Sequence, residues 1–215
     1  MERKVALVTG VSRLKGMGRA ICLELAKRNF DIFFTYWTEY DNEMPWKVNS
    51  MEPDMIQKEI IALGVQCEKL ELDLALETSP DLLFQKANDK LGLISVLVNN
   101  ATYSTMTNIH NLNASELDRH YAINVKATTL LSTTFVKQFN IDHGGRIINL
   151  TSGQSLGKMS TEIAYAITKG SVETLTDTLS SVLASRGITI NAVNPGPNDT
   201  GWIITLKKNW KPSFL

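Results

Sequence analysis

Residues 9–18 are TGVSRLKGMG. They follow a short apolar run, KVALV at 4–8, and precede RAICLELAKR at 19–28, whose apolar residues recur at helical spacing. A glycine-rich turn between a strand and a helix can cradle phosphates on free backbone N–H groups. This one departs from the common G-x-G-x-x-G spacing, because five residues separate Gly10 from Gly16. On the turn alone, a nucleotide-binding turn with an insertion and a plain glycine-bearing loop are both open.

The flanking pattern repeats along the chain. Apolar runs predict strands at Lys4–Val8, Asp31–Tyr36, Gln66–Leu70, Ser95–Asn99, Arg146–Leu150 and Ile188–Val193. Most are apolar on both faces, which suits parallel strands covered on both sides. Between them, helical patterns span Gly16–Arg28, Pro53–Leu63, Ser79–Lys90, Ala114–Gln138 and Ile163–Ser185. Asn113 with Glu116 makes a capping-box-like start to the fourth, and Gly64 and Gly187 sit where helix ends favour a left-handed residue. Such alternation predicts an α/β fold, a doubly wound parallel sheet with right-handed crossovers in one domain over 1–215. One connection is long: WTEYDNEMPWKVNSMEP at 37–53, and long loops in compact domains are often functional.

Composition narrows the classes. Hydrophobic residues at 43% suffice for a core and exclude a disordered chain. Lys+Arg and Asp+Glu are both 22, which gives no electrostatic reason to expect nucleic acid or an anionic membrane. No apolar run approaches the roughly 18 residues of a spanning helix, and the N-terminus lacks a long signal-peptide core. Cys22 and Cys67 form neither a disulfide framework nor a metal signature, and His110, His120 and His143 lack ligand spacing. The expectation is a cytoplasmic protein with no bound metal and no nucleic-acid or membrane partner.

In an open parallel sheet, ligands bind beyond the carboxyl ends of the strands. The residues there are Thr9-Gly10, Thr35 to Thr38, Leu72-Asp73-Leu74, Asn99-Asn100-Ala101, Thr151-Ser152-Gly153 and Asn194-Pro195-Gly196, mostly small or polar. Farther on, Tyr165 and Lys169 stand four apart, on one face of a predicted helix. An ammonium there would favour phenolate and lower the Tyr165 pKa, fitting it for proton transfer. Alone the pair also fits a half-buried aromatic beside a solvated charge. Ser152, thirteen residues upstream just after a strand, turns the balance toward chemistry. Asn124, a poor helix former flanked by Ile123 and Val125, adds to it.

Together these pieces resemble the short-chain dehydrogenase/reductase family, in the family's order and over most of the chain: TGVSRLKGMG, LDL at 72–74, NNA at 99–101, Asn124 in INVKA, Ser152, Tyr165 with Lys169, and NPGPNDT at 194–200. Within it the chain looks most like 3-oxoacyl-[acyl-carrier-protein] reductase-like members. The resemblance implies a Rossmann-like sheet with strand order 3-2-1-4-5-6. It implies a hydride passed between a nicotinamide dinucleotide and a carbonyl or alcohol substrate, an acyl thioester among the candidates. By resemblance, Gly10, Ser12, Gly16, Met17 and Gly18 approach the pyrophosphate, Asp73 and Leu74 hold the adenine, and Asn100 and Ala101 line the ribose. Pro195, Gly196 and Thr200 hold the carboxamide. Ser152, Tyr165, Lys169 and Asn124 form the catalytic set, with Asn124 positioning a relay water, and Ser152, Gln154 and Tyr165 face substrate. At the end of the second strand, where NAD-specific relatives place an acid, stands Tyr36, followed by Trp37 and Thr38, the last counted among the cofactor-binding residues. With Arg13 in the glycine turn for a 2′-phosphate this favours NADP(H) over NAD(H), while Glu39 keeps NAD open and Arg13 also reads as a plain solvated charge.

The resemblance also marks departures. The glycine turn is two residues longer than usual, and Met17 replaces a branched aliphatic. The chain stops soon after NPGPNDT with GWIITLKKNWKPSFL, so a seventh strand and the last helices are expected to be missing, residues 201–215 form an atypical tail, and the family's tetramer or dimer is expected to be weakened. A second function stays open on that ground, a dinucleotide-binding remnant or sensor with little turnover.

Overall fold

The computed structural model describes residues 3–44, 46, 49–139 and 144–201. Nearly all of the expected tail, 202–215, lies outside the described residues. Six parallel strands run β1 (Val5–Val8), β2 (Asp31–Tyr36), β3 (Cys67–Glu71), β4 (Ile94–Asn99), β5 (Gly145–Leu150) and β6 (Ile188–Val193), and pair in the order 3-2-1-4-5-6. This is the Rossmann-like order the resemblance implied.

Among the described residues the α-helices are α1 (Met17–Lys27), α2 (Thr38–Glu43), α3 (Glu52–Ile61), α4 (Ser79–Leu91), α5 (Ala114–His120), α6 (Thr128–Gln138) and α7 (Ile163–Leu183), of which α1, α3, α4, α6 and α7 pack on the sheet. Alternate strand residues feed opposite layers. Ala6, Val8, Ile32 and Phe34 pack with Cys22 and Ala26 of α1 and Ile56 and Ile60 of α3. Val5, Leu7, Phe33 and Leu97 pack with Phe84 of α4, Phe135 of α6 and Leu183 of α7. This is why β1, β2 and β4 carry apolar residues at consecutive positions: both of their faces are buried. Each of the fully buried Leu and Phe side chains contributes about 1.5–3 kcal/mol.

Two features differ from the sequence expectation. The helix expected over 114–138 is broken by a π-helical segment, Tyr121–Ala127, between α5 and α6. π-turns insert one residue into the ladder and rotate the following face, often at functional sites. Here the segment turns Asn124 inward, to 1% exposure. The long connection after β2 contains α2, which no periodicity announced because it has only six residues.

β1 lies between β2 and β4, so the chain reverses its winding direction there. A crevice opens above such a switch point. At the other edge, Ile188 and Ile190 of β6 are buried while Val193 is exposed.

Candidate active site

The glycine turn is built by mutual latching with the end of β4. The Thr9 hydroxyl accepts from the backbone N–H groups of Asn100 and Ala101, at 3.1 and 3.0 Å. The Asn100 amide donates back to the carbonyls of Thr9 and Gly10, at 2.8 and 2.9 Å. Gly10 has φ +74°, and a Cβ there would lie 2.6 Å from the Ala101 Cα. The turn therefore needs glycine both for its conformation and for its closeness to β4.

The extra residues of the turn grip the loop beyond β6. The Arg13 guanidinium donates to the Thr200 carbonyl at 2.6 Å, and Lys15 pairs with Asp199 at 2.9 Å. Arg13 also pairs with the buried Asp41 at 3.3 Å and lies 4.2 Å over the Trp46 ring. Trp46 in turn donates its indole N–H to Asp41. The connection after β2 is thus anchored to the glycine turn at one end. At the other, the Tyr40 hydroxyl donates to the Ser104 carbonyl, Tyr40 and Tyr103 rings lie 5.4 Å apart, and Glu43 pairs with Arg119 at 2.6 Å.

Between these walls lies a cleft of about 870 Å³, within the usual range for a small-molecule or cofactor site. Most of the sequence-predicted residues line it: Gly10, Ser12, Arg13, Gly16, Met17 and Gly18 from the turn, Asp73, Leu74, Asn100 and Ala101 from the strand ends, and Ser152, Tyr165 and Thr200. Others do not reach its surface. Thr38 turns its hydroxyl to Glu71. Gln154 has both amide atoms sealed from solvent outside the lining. After β6 it is Pro197 and Asn198, rather than Pro195 and Gly196, that face the cleft, because Gly196, at φ +68°, bends the loop.

α1 presents its amino end to this cleft. Its N-cap is Gly16, no side chain caps it, and no acid stands in its first turn. The free N–H groups and the helix dipole suit an anion. A dinucleotide pyrophosphate would fit the N–H groups of Met17 and Gly18, the Gly16 N–H being given to the Arg13 carbonyl at 2.9 Å.

On the far wall, Ser152 and Tyr165 both face the cleft, with Ser152 close enough to act on the phenol. Burial raises the Tyr165 phenol above its ordinary value, Ser152 opposes the rise, and the negative charge of Glu162 adds to it. Lys169, one turn along α7 and 4% exposed, places Nζ 5.6 Å from the Tyr165 ring centre and donates to the Leu150 carbonyl at 2.7 Å. The i,i+4 spacing does bring Tyr165 and Lys169 to one face. The expected lowering of the Tyr165 pKa is not found in this structure, because the ammonium reaches past the ring to β5 and burial governs both groups.

Asn124 also differs from its expectation. Its amide oxygen accepts from the Tyr103 N–H and the Thr102 hydroxyl, and its amide nitrogen donates to the Tyr103 carbonyl and the Thr168 hydroxyl. These four bonds use the whole amide. Asn124 clamps the loop after β4 to α7, and its side chain is not turned to Lys169. Its placement within the π-turn makes this reach possible.

Several lining residues were not singled out by the sequence as site residues: Tyr103, Asp118, Arg119, Met159 and Glu162. Only the unusual length of the 37–53 connection signalled part of this wall. Among the described residues, no three His, Cys, Asp or Glu side chains are grouped to hold a metal, and no helix is long and apolar enough to cross a membrane.

Lys169 has a measurable consequence. Burial pushes its pKa from the ordinary 10.5 down to about 8. Between those values the unfolded chain holds a proton that the fold does not, so stability rises with pH. Burial raises the Cys22 and Cys67 thiols, Cys67 to about 12, and from about pH 8 upward their unfolded-state ionisation acts the other way. Lys169 by itself adds roughly 1 kcal/mol from pH 8 to 9, the two thiols offset most of it, and stability by urea unfolding is expected to rise by about 0.3 kcal/mol over that interval and to decline beyond. Lys169→Met should abolish the increase; an unchanged increase in that variant would place its cause elsewhere.

Comparison with known proteins matches this geometry. The family model described as short chain dehydrogenase covers residues 4–210, and the chain belongs to that family. An uncharacterized oxidoreductase of Bacillus subtilis, YjdA, is 41% identical over 216 residues, covering 99% of this chain and 82% of the relative. A 3-oxoacyl-[acyl-carrier-protein] reductase of Synechocystis is 32% identical, covering 91% of this chain and 74% of the relative. Among solved structures, the keto-reductase LugOII superposes with TM-score 0.78 at 33% identity, covering 91% of this chain and 78% of that one. A Serratia marcescens short-chain dehydrogenase/reductase variant gives 0.82 at 28% identity, covering 94% and 77%. The chain is an oxidoreductase of a family that works with nicotinamide dinucleotides.

Proposed function

We propose that this chain reduces a carbonyl group at the expense of NADP(H), with Tyr165 as proton donor. The observation that carries the proposal is that Ser152 and Tyr165 share the cleft wall, with Lys169 beneath the Tyr165 ring and the uncapped amino end of α1 in the same cleft. When bound, the dinucleotide supplies the hydride. The protein's own residues handle the charge that follows. Ser152 donates a hydrogen bond to the carbonyl oxygen as it becomes anionic. Tyr165, kept protonated at neutral pH by burial, delivers its phenolic proton to that oxygen. Lys169 holds its ammonium under the ring, and Asn124 fixes the loop carrying Tyr103. A matched solved relative catalyses keto-reduction, which supports a ketone over a specialised acyl thioester as the first class to assay.

The preference for NADP(H) rests on Arg13. Its bonds to Asp41 and Thr200 use two of five donors and fix the guanidinium on the cleft wall near the end of β2, where the remaining fork suits a 2′-phosphate. Arg13→Ala is expected to weaken NADPH binding about 10- to 100-fold and leave NADH nearly unchanged, measured by fluorescence titration. Equal weakening of both would make Arg13 a part of the scaffold alone. Hydride transfer across a panel of ketones and one acyl thioester, followed by nicotinamide absorbance, tests the reaction itself. Cofactor binding with no turnover on any carbonyl would instead support a dinucleotide-binding sensor.

A further inference from the structure

Glu162 lines the cleft one turn before Tyr165, close enough for its charge to act on the phenol. It precedes α7, where an acidic side chain often caps the helix. It does not do so here. The first N–H groups of α7 are taken by Thr107: Ile163 donates to the Thr107 carbonyl at 2.8 Å and Ala164 to its hydroxyl at 3.1 Å. Nor does the carboxylate have a cation. The two basic side chains in the lining are engaged elsewhere, Arg13 by Asp41 and Arg119 by Glu43, and Lys169 is turned to Leu150. Among the described residues Glu162 makes no side-chain hydrogen bond or ion pair. It is half-buried, so a substrate filling the cleft strips water from it. A desolvated carboxylate without a donor is costly.

We infer that Glu162 is a specificity-determining residue, which selects carbonyl substrates carrying a hydrogen-bond donor, ammonium or hydroxyl, near the reacting carbonyl and rejects those carrying an anion there. This rests on the carbonyl-reductase reading of the site. It makes an anionic group beside the carbonyl unfavourable regardless of chain length. The wall chemistry also bears on Tyr165, since the same carboxylate acts electrostatically on the phenol; a neutral substrate reports that contribution by itself.

The test uses four ketones of one carbon skeleton, ending in ammonium, hydroxyl, methyl or carboxylate, with kcat/KM for each divided by the value for the methyl compound. In the wild type the ammonium and hydroxyl compounds should exceed the methyl compound, and the carboxylate should fall below it. Glu162→Gln should shrink the ammonium-to-carboxylate ratio about 10- to 100-fold and spare the hydroxyl compound, because the amide oxygen still accepts. Glu162→Asp should keep the order. A ratio unchanged by Glu162→Gln overturns the inference. If the wild type reduces none of the four, the reductase reading fails instead. Calorimetric binding of the matching amino-alcohol and hydroxy acid then measures the same ratio without turnover: a preference for the amino-alcohol that Glu162→Gln removes upholds the role of Glu162, and equal binding of the two refutes it.

Discussion

Replacing Tyr165 with phenylalanine is expected to lower kcat by about 10²- to 10⁴-fold while leaving dinucleotide affinity close to that of the wild type. The ring stays, so the packing of α7 against the cleft is preserved and only the hydroxyl is lost. That hydroxyl is the proposed proton source, on a residue that lines the cleft beside Ser152. Ser152 remains to stabilise the oxyanion, which is why residual turnover is expected above the uncatalysed rate. Single-turnover kinetics with a ketone, beside a dinucleotide titration, separate the two quantities. Full turnover by Tyr165→Phe would transfer the proton-donor role elsewhere, and loss of cofactor binding in parallel would mean the substitution disturbed the fold.

The parts of this site that could be read from sequence were those fixed by local spacing. The apolar runs placed Asp31–Tyr36 and Ile188–Val193 with both ends as observed, the first because nearly every residue in it is buried, the second because Gly187 precedes it and Asn194-Pro195 follows, although only Ile188 and Ile190 in it are buried. Ser152, Tyr165 and Lys169 were legible because two lie one helical turn apart and the third follows a strand. Long-range relations were not legible. Nothing in YAINVKA announces a π-turn, since its residues suit an α-helix nearly as well; the amide of Asn124 meeting Thr102, Tyr103 and Thr168 requires a loop and a second helix far apart in sequence to converge on it. Arg13 was legible as a cation in the turn, but its pairing with Asp41 depends on how the connection after β2 folds back. Gln154 failed for a similar reason: it follows Ser152 closely, but the 3₁₀ turn Gly153–Ser155 carries its amide away from the cleft lining.

Glycine at position 18 gives the sharpest test of the turn. Gly18 lies in α1 with ordinary helical geometry, where alanine is normally the better residue by roughly 1 kcal/mol. Here a Cβ would sit 2.7 Å from the Gly10 carbonyl oxygen and 3.0 Å from both the Asn100 amide nitrogen and the Val11 Cγ2. None of these neighbours moves cheaply. The Gly10 carbonyl is held by the Asn100 amide, which also bonds Thr9, and Val11 is buried in the core. Gly18→Ala must therefore push α1 away from the turn, moving the N–H groups that face the cleft. The expected result is a loss of about 1–3 kcal/mol in unfolding free energy from overpacking, with dinucleotide affinity falling at least about tenfold as those anion-binding N–H groups shift. Gly170→Ala is the matched control: that glycine lies within α7, and an added Cβ meets nothing within 4 Å. It is expected to stabilise the protein by about 0.5–1 kcal/mol without changing dinucleotide binding. Opposite signs for one chemical change in two helices would tie the effect to the contact between α1, the glycine turn and Asn100. Equal tolerance of both substitutions would mean that α1 can withdraw from the turn without cost, and that the turn does not hold the anion site.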